Sequence, residues 1–243
     1  MSSVAMKPDK AFILAAGYGE RMRPLTLTRP KPLLEVGGQS LLDRALDQLE
    51  AFGIRDVVVN THYLAEKIED ALKDRHAPRI HLSHEPDILD TGGGMVHALR
   101  YFDDRPFFVL NGDGYWIDGP QGAALDSLWR AWDDRRMDIA LSLQPVAQMT
   151  LTRGVGDYDL DDQDLARRSK SKTGAYMFNG LRLHHPRIFK DAPRGAFSYL
   201  TLMDRAENAG RLYGVINPGI WHHISTPADF DAVNASLMKD KVG

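Results

Sequence analysis

The sequence contains no cysteine among its 243 residues. This absence excludes disulfide bridges, thiolate zinc sites and cysteine nucleophiles, and it favours a reducing compartment. No stretch approaches the ~18 consecutive apolar residues of a membrane-spanning helix. The opening segment MSSVAMKPDK also lacks the apolar region of a signal peptide. Together these absences predict a soluble cytoplasmic protein without a membrane partner.

An excess of positive charge is also missing. Lys and Arg number 30 against 33 Asp and Glu, which gives a formal net charge of -3. Nucleic-acid-binding domains usually carry a basic excess, so this balance argues against a nucleic-acid partner. Hydrophobic residues make up 43% and charged residues 26% of the chain, as in ordinary globular proteins. The length therefore fits one globular α/β domain.

Short apolar runs alternate with helical patterns through the first 143 residues. The pattern predicts strands at 11–16, 56–60, 80–84, 106–111 and 138–143. It predicts helices at 65–74, 95–102 and 123–134, and a further helix capped by Ser40 and stopped at Gly53. Such alternation is typical of a Rossmann-like three-layer α/β sandwich with a mainly parallel sheet. Ligand-binding residues are expected after the strands, at their carboxyl ends.

The composition changes after Pro145. Residues 154–172 are polar and predict an insertion or lid outside the core. Apolar patterns return at 174–183, 198–209 and 212–216, and a last helix is expected to begin near Thr226. We therefore expect a single domain over residues 1–243, with an inserted sugar-binding or lid region at about 145–185. The sequence leaves open whether the chain forms a homo-oligomer.

The strongest local signal is LAAGYGERMRPLTLTRPKPL, at residues 14–33, directly after the first predicted strand. It carries two glycines and three cations, namely Gly17, Gly19, Arg21, Arg23 and Lys31. Glycines let backbone amides approach a phosphate, and the cations suit a triphosphate. A solvated basic turn is the simpler alternative. A dinucleotide-binding turn is disfavoured because Met22 replaces its third glycine, and the Gly-Lys-Ser/Thr of a P-loop is absent.

The spacing G-x-G-x-R-x-x-P-x-T-x-x-x-P-K-P, from Gly17 to Pro32, resembles the signature of sugar-1-phosphate nucleotidyltransferases. LDTGGG at 89–94 is similar to the family's base-recognition loop, NGD at 111–113 to its metal-binding segment, and GAYMFNG at 174–180 to its sugar-pocket strand. The resemblance covers roughly residues 11–235. It implies the nucleotide-diphospho-sugar transferase fold. It also implies transfer of a nucleotidyl group from a nucleoside triphosphate to a sugar 1-phosphate, which releases pyrophosphate.

Within this family the chain most resembles the N-acetylmuramate-1-phosphate uridylyltransferases. That resemblance rests on DTGGG, the short length, LHHP at 183–186 and GAF at 195–197. It implies UTP as the nucleotide and N-acetylmuramate 1-phosphate as the acceptor. Mannose-1-phosphate guanylyltransferases share much of the pattern, so GTP remains an alternative. A non-catalytic nucleotide-sugar binding protein is a second alternative.

The expected chemistry needs charge neutralisation more than a base, because a sugar-phosphate oxygen is already anionic near neutral pH. Arg21 and Lys31 are the candidate catalytic residues, and Asp113 is the candidate ligand of Mg²⁺. Asn-Gly-Asp alone would also suit an ordinary turn. The candidate nucleotide-binding residues are Ala15, Ala16, Gly17, Gly19, Arg21, Gly92 and Gly93. The candidate sugar-binding residues are Asn111, Asn179 and Gly180.

Some of these assignments have simpler structural alternatives. Gly92 and Gly93 would also suit a helix entry, and Asn179-Gly180 would suit a turn at the end of a strand. The four tryptophans are expected in the core or at an interface rather than at a ligand.

One segment departs from the family pattern. The family places an Asp, its second metal carboxylate, in a Trp-x-Asp-x-Gly-Thr-like segment, and this chain has Trp221-His222-His223-Ile224-Ser225-Thr226. His223 stands at the position of that Asp, and adjacent strand residues point to opposite faces. Either His223 replaces the ligand or turnover is impaired. Nitrogen ligation would weaken Mg²⁺ binding and favour Mn²⁺.

Overall fold

The computed structural model describes residues 6–240, so the first five residues of the polar opening segment lie outside the described part. The strands are β1 (Lys10–Leu14), β2 (Glu35–Val36), β3 (Gln39–Ser40), β4 (Asp56–Thr61), β5 (Arg79–His84), β6 (Phe107–Asn111), β7 (Tyr115–Ile117), β8 (Ile139–Pro145), β9 (Tyr158–Leu160), β10 (Ala166–Arg168), β11 (Tyr176–His184), β12 (Leu212–Ile216) and β13 (Ile220–His222). The helices are α1 (Leu41–Phe52), α2 (Ala65–Leu72), α3 (Asp90–Ala98), α4 (Ala124–Ala131), α5 (Leu200–Asn208) and α6 (Pro227–Asp240).

A mixed sheet forms the centre of the molecule. Strands β5, β4, β1 and β6 are parallel neighbours, β11 runs antiparallel between β6 and β8, and β12 is parallel to β8. The parallel strands are linked through α1, α2 and α3, as the alternation in the sequence predicts. The predicted α/β fold with a mainly parallel core is therefore confirmed.

Helices cover both faces of this sheet. One apolar cluster joins α1, α2 and α4 to one face, and a second joins α3 and α5 to the other. In α1, Ser40 Oγ accepts a hydrogen bond from the Asp43 amide, and Gly53 ends the helix in the left-handed conformation. Burial of its apolar stripe, from Leu41 to Phe52, supplies most of the stabilisation of α1. The result is three layers, with the carboxyl ends of β1, β4 and β6 at one edge.

The polar segment at 154–172 is not outside the core, which corrects the expectation from its composition. It forms the β9–β10 hairpin, and Tyr158 in β9 pairs with Tyr176 in β11. Tyr158 and Ala166 are buried in the apolar cluster beneath α3 and α5. The sequence signal was weak because only alternate residues of these three-residue strands face the core.

The described helices include none whose length and hydropathy would suit a membrane span.

Candidate active site

A cavity of about 450 Å³ opens at the carboxyl edge of the sheet. Its wall includes most of the predicted phosphate-loop residues, namely Ala15, Ala16, Gly17, Gly19, Arg21 and Lys31. Asn111 and Asp113 come from the end of β6 and the turn that follows it. The structure thus brings together residues that are almost 100 positions apart in sequence.

A local hydrogen bond stabilises the conformation of the loop after β1. Gly19 has a left-handed conformation, with φ +62°, and its carbonyl accepts a hydrogen bond from Thr26 Oγ1 at 2.8 Å. A short 3₁₀ turn follows, and its Met22 is fully buried. Burial of Met22 anchors the loop while Arg21, beside it, remains exposed. The methionine that breaks the dinucleotide-binding pattern is therefore the loop's apolar anchor.

Lys31 and Asp113 form the central ion pair of the site. Lys31 Nζ lies 2.6 Å from Asp113 Oδ2, and the side chains are 10% and 37% exposed. Gly112, which precedes Asp113, donates its amide to the Leu14 carbonyl at 2.8 Å, and this bond fixes the end of β6 against β1. A charged cation and a carboxylate are thus positioned together at the edge where a phosphate chain would enter.

A two-stranded ladder carries the histidine segment to the same edge. Strand β13 pairs with β7, which begins two residues after Asp113, and Trp221 lies opposite Trp116. The His222 ring stacks on Tyr115, whereas the His223 ring stacks on Trp221. The two imidazoles therefore have different neighbours, with His222 at the end of β13 and His223 directly after it.

His223 is not on the wall of the nucleotide cavity, but it lies close enough to Lys31, Arg21 and Asp113 for their charges to affect it. Burial lowers the pKa of His223, and the charges of Lys31 and Arg21 lower it further, while Asp113 has the opposite effect. Its ring Nδ1 lies 3.4 Å from the Arg153 carbonyl oxygen, and its amide donates to Thr152 Oγ1. A lowered pKa keeps the imidazole neutral, which is the form that binds a metal.

The donor set is compatible with a divalent cation that also binds substrate oxygens. Within residues 6–240, no group of three or more His, Asp or Glu side chains forms a metal site. Mg²⁺ commonly binds through one or two carboxylates together with phosphate oxygens and water. Asp113 supplies one carboxylate and His223 lies nearby, so protein and triphosphate together would complete such a site.

Sequence reasoning missed the buried pair Asn60 and Glu85, which also lines this cavity. Asn60 Nδ2 donates to Glu85 Oε1 at 2.7 Å, and Asn60 Oδ1 accepts the Ala15 amide. Glu85 Oε2 accepts the Leu89 amide, although Glu85 is only 1% exposed. Through these hydrogen bonds the pair connects the start of the phosphate loop, at Ala15, to the segment before α3, at Leu89. Both residues end neighbouring strands or follow them directly, and that position was the available signal.

Gly92 and Gly93 lie in the first turns of α3 rather than on the cavity wall. Their amides both bond to the Phe197 carbonyl oxygen, and a Cβ on Gly92 would overlap the Phe197 ring. A Cβ on Gly93 would meet the Gly195 carbonyl. Their small size therefore serves helix packing, and Asp90 and Thr91 are the residues of this segment that line the cavity.

Asn179 and Gly180 also lie away from the cavities. Asn179 is buried, donates to Ser142 Oγ and accepts the Leu181 amide, so its polar atoms are already paired. Gly180 has φ +88°, and a Cβ there would lie 2.9 Å from the Asn111 amide nitrogen. The pair lies at the register shift in β11, where Gly180 packs against the side chain of Asn111. Of the three predicted sugar-binding residues, only Asn111 lines a cavity.

The expectation for the four tryptophans agrees with the structure. Trp116, Trp132 and Trp221 belong to the buried core, and Trp129 packs against it. Arg23 lies outside the cavity wall and pairs with Glu20 at 3.7 Å.

A second, smaller cavity of about 230 Å³ adjoins the first, because Thr91 and Asn111 line both. Its wall includes Arg182, a buried residue of β11 for which the sequence offered no motif.

Comparison with known proteins agrees with this geometry. Residues 11–213 match the family model of the MobA-like NTP transferase domain. An N-acetylmuramate alpha-1-phosphate uridylyltransferase of Caulobacter vibrioides is 40% identical, and the alignment covers 97% of this chain and 100% of that protein. The protein of the same description from Neisseria meningitidis is 33% identical, with 89% and 93% covered.

A solved structure supports the fold assignment. The inositol-1-phosphate CTP transferase from T. maritima superposes with a TM-score of 0.75 at 18% identity, covering 99% of this chain and 100% of that chain. At this identity the likeness concerns the fold alone.

Proposed function

Because the chain belongs to the family of MobA-like NTP transferase domains, we propose that it transfers a uridylyl group from UTP to N-acetylmuramate α-1-phosphate. The products are UDP-N-acetylmuramate and pyrophosphate. The observation that carries the proposal is the full-length similarity to the Caulobacter vibrioides uridylyltransferase. The cavity that holds Arg21, Lys31 and Asp113 is the place for this chemistry.

The reaction needs no general base. A phosphate oxygen of the sugar 1-phosphate attacks the α-phosphorus of UTP, and the bond from that phosphorus to the oxygen of the leaving pyrophosphate breaks. Both reactants are anions, so the barrier depends on holding them in line and neutralising their charge. Arg21 and Lys31 supply positive charge where the pyrophosphate develops. Arg21 provides several donors in one plane, whereas Lys31 acts as a compact charge.

We propose Mg²⁺ as the cofactor, with Mn²⁺ as an effective substitute. When bound, the ion reduces the repulsion between the two phosphate groups. Asp113 would hold it through a carboxylate oxygen, together with oxygens of the triphosphate. Lys31 would then shift its hydrogen bond from Asp113 towards a phosphate oxygen, because both groups compete for the same ammonium.

N-Acetylmuramate is a sugar of peptidoglycan, so we further propose a role in the recycling of cell-wall fragments in the cytoplasm. The absence of cysteine agrees with a reducing compartment.

The test is release of pyrophosphate with each of the four nucleoside triphosphates and a panel of sugar 1-phosphates. We expect the highest kcat/KM for UTP with N-acetylmuramate α-1-phosphate. A preference for GTP with mannose 1-phosphate would instead support guanylyl transfer. Binding of a UDP-sugar without turnover on any acceptor would identify a non-catalytic binding protein.

A further inference from the structure

Arg182 is a charged residue in the middle of an apolar sheet. In β11 it lies opposite Val109 of β6 and Leu141 of β8, both fully buried. Its neighbours Leu181 and Leu183 pack into the cluster with α1 and α4, so Arg182 faces the opposite side, beneath α3 and α5. The residue is only 2% exposed. A buried guanidinium is strongly unfavourable unless an anion or several acceptors compensate it.

The described residues provide no carboxylate partner for Arg182. Its guanidinium lies over the Tyr199 ring, 4.4 Å from the centroid, and 5.7 Å from the Phe178 ring centroid. One terminal nitrogen lies 3.5 Å from Met95 Sδ, and Nε is buried without a hydrogen-bond acceptor. Burial lowers the pKa of Arg182, and the hydrogen bond between its side chain and Tyr199 offsets this effect only in part. The aromatic rings hold the plane of the guanidinium but leave its hydrogen-bonding capacity largely unused.

Arg182 lines the second cavity, whose wall is cationic. Three of its side chains are basic, Arg168, Lys172 and Arg182, against the single acid Asp157. Asp157 pairs with Lys172 at 2.5 Å, and Arg168 pairs with Asp204 at 2.7 Å. The two cations at the wall that have acids nearby are thus neutralised, and the buried Arg182 keeps its charge for a ligand.

The position of the second cavity indicates which anionic ligand would pair with Arg182. It shares Thr91 and Asn111 with the nucleotide cavity, on the side of β11. A sugar whose 1-phosphate approaches Asp113 would extend past Asn111 in this direction. N-Acetylmuramate differs from N-acetylglucosamine by a lactyl ether that ends in a carboxylate, and a carboxylate matches the fork of donors of a guanidinium.

We propose that the second cavity binds the lactyl group of the acceptor sugar and that Arg182 holds its carboxylate. This assignment rests on the proposed function and adds to it the residue that selects an acidic acceptor. Tyr199 is a positioning residue, since its ring packs against the guanidinium while its hydroxyl bonds to His184 Nδ1 at 2.6 Å.

The first experiment changes the substrate and leaves the protein intact. Wild-type kcat/KM is measured with N-acetylmuramate α-1-phosphate and with its lactyl methyl ester, which has nearly the same shape but no charge. Loss of one partner of a buried charged hydrogen bond commonly costs on the order of 10²-fold. We expect a loss of this size for the ester, mainly through KM, with the KM for UTP unchanged.

The second experiment changes Arg182. Arg182→Met removes the charge and keeps an unbranched but shorter apolar side chain, so it should lose activity towards the acid and no longer discriminate between acid and ester. Arg182→Lys should retain part of the preference. Arg187→Met, five residues along the chain, removes a guanidinium that pairs with Asp134 outside the cavity, and should leave the preference intact. Thermal unfolding and UTP binding verify that each variant folds.

The outcomes separate the two proposals. If wild type turns over neither acid nor ester, the proposed uridylyl transfer to N-acetylmuramate 1-phosphate is wrong. If wild type turns over both equally well, the function stands and the carboxylate site is refuted. Retention of the acid preference in folded Arg182→Met would refute the role of Arg182. Should Arg182→Met fail to fold, the ester comparison and Arg182→Lys still decide the question.

Discussion

At the scale of single residues, the contact between Lys31 and Asp113 is the central electrostatic feature. The lysine is largely buried, and at 2.6 Å the carboxylate neutralises it. On the proposed function, an incoming triphosphate would offer Lys31 several anionic oxygens and would thereby release Asp113 for another cation. The ammonium and the carboxylate thus neutralise each other, and neither charge is unpaired before the substrate binds.

Arg21 and Lys31 should therefore be indispensable for turnover. We expect Arg21→Ala and Lys31→Ala each to reduce kcat by at least ~10²-fold, the scale for loss of one preorganised charge-stabilising group. Arg23→Ala is the matched control, because Arg23 lies on the same loop but outside the cavity wall. Steady-state pyrophosphate release measures the effect. Normal kinetics for folded Arg21→Ala and Lys31→Ala would contradict the assignment of the phosphate loop.

His223 should determine the metal preference. An imidazole is a poorer Mg²⁺ ligand than a carboxylate and a better ligand for Mn²⁺. We expect wild type to need millimolar Mg²⁺ and to work relatively better with Mn²⁺. His223→Asp should lower the half-saturating Mg²⁺ concentration roughly tenfold, the scale of one added charge interaction. Metal titrations of wild type, His223→Asp and His223→Ala measure this. Superimposable curves would show that His223 is not a ligand.

The candidate residues that converge on one cavity are those whose spacing in the chain is itself a signature. Arg21, Lys31 and Asp113 follow strands β1 and β6 within short segments, so their convergence follows from the topology of a parallel sheet. Glu85 and Arg182 carry no such signature. Glu85 is notable because it is buried with hydrogen-bond partners, and Arg182 because it is buried without a carboxylate partner. Both properties arise only when separate strands and helices pack together.

At the scale of elements, helix α3 requires glycine for a reason that sequence reasoning did not identify. The sequence suggested a flat base pocket or a helix entry at Gly92 and Gly93. In the structure the segment at 195–197 lies directly on this helix turn, and the Phe197 carbonyl accepts both glycine amides. A side chain at either position would displace that segment. The glycines thus connect α3 to the loop before α5.

Gly92→Ala should consequently destabilise the protein, although alanine normally favours a helix by up to ~1 kcal/mol over glycine. Overpacking against Phe197 should cost about 1–3 kcal/mol, which corresponds to a lower Tm by several degrees. In Phe197→Ala the ring is absent, so adding Gly92→Ala should then cost much less. Gly17→Ala, where a Cβ meets no atom within 4 Å, is the stability control. Additive losses in the double variant would contradict this packing account.

Element prediction succeeded where a pattern extends over many residues and failed where it is short. The parallel strands and α1 were predicted within a few residues, since each has a buried run or stripe. The β9–β10 hairpin lies in the segment that the sequence predicts to be an insertion or lid outside the core, because each of its strands contributes only one buried residue, Tyr158 and Ala166. The β7–β13 ladder was also not predicted, because both strands have only three residues.

At the scale of the whole molecule, Thr91 and Asn111 join the two cavities, and the second cavity is lined by one face of β11. That face carries Arg182 and His184 beneath α3 and α5, in a cluster that is otherwise apolar. The His184 Nδ1 atom bonds to the Tyr199 hydroxyl, and its ring packs against Phe107 and Phe189. We therefore expect substrate binding and folding stability to depend on the same buried polar cluster.

This cluster should make the protein less stable below neutral pH. Burial lowers the pKa of His184 well below its ordinary 6.5, and the charges of Arg182 and His185 act in the same direction. Below pH 6.5 the unfolded chain takes up a proton on this histidine and the folded protein does not, so falling pH favours unfolding. The loss is about 1.4 kcal/mol per pH unit for one such group, until its folded pKa is reached. Carboxylates with lowered pKa values, such as Asp56, titrate below this range.

Urea unfolding at pH 7.5, 6.5 and 5.5 measures how steeply the free energy of unfolding falls with pH. This slope should be shallower in His184→Gln but unchanged in His76→Gln, where the residue is exposed. An equal slope in wild type and His184→Gln would show that His184 does not control the acid sensitivity.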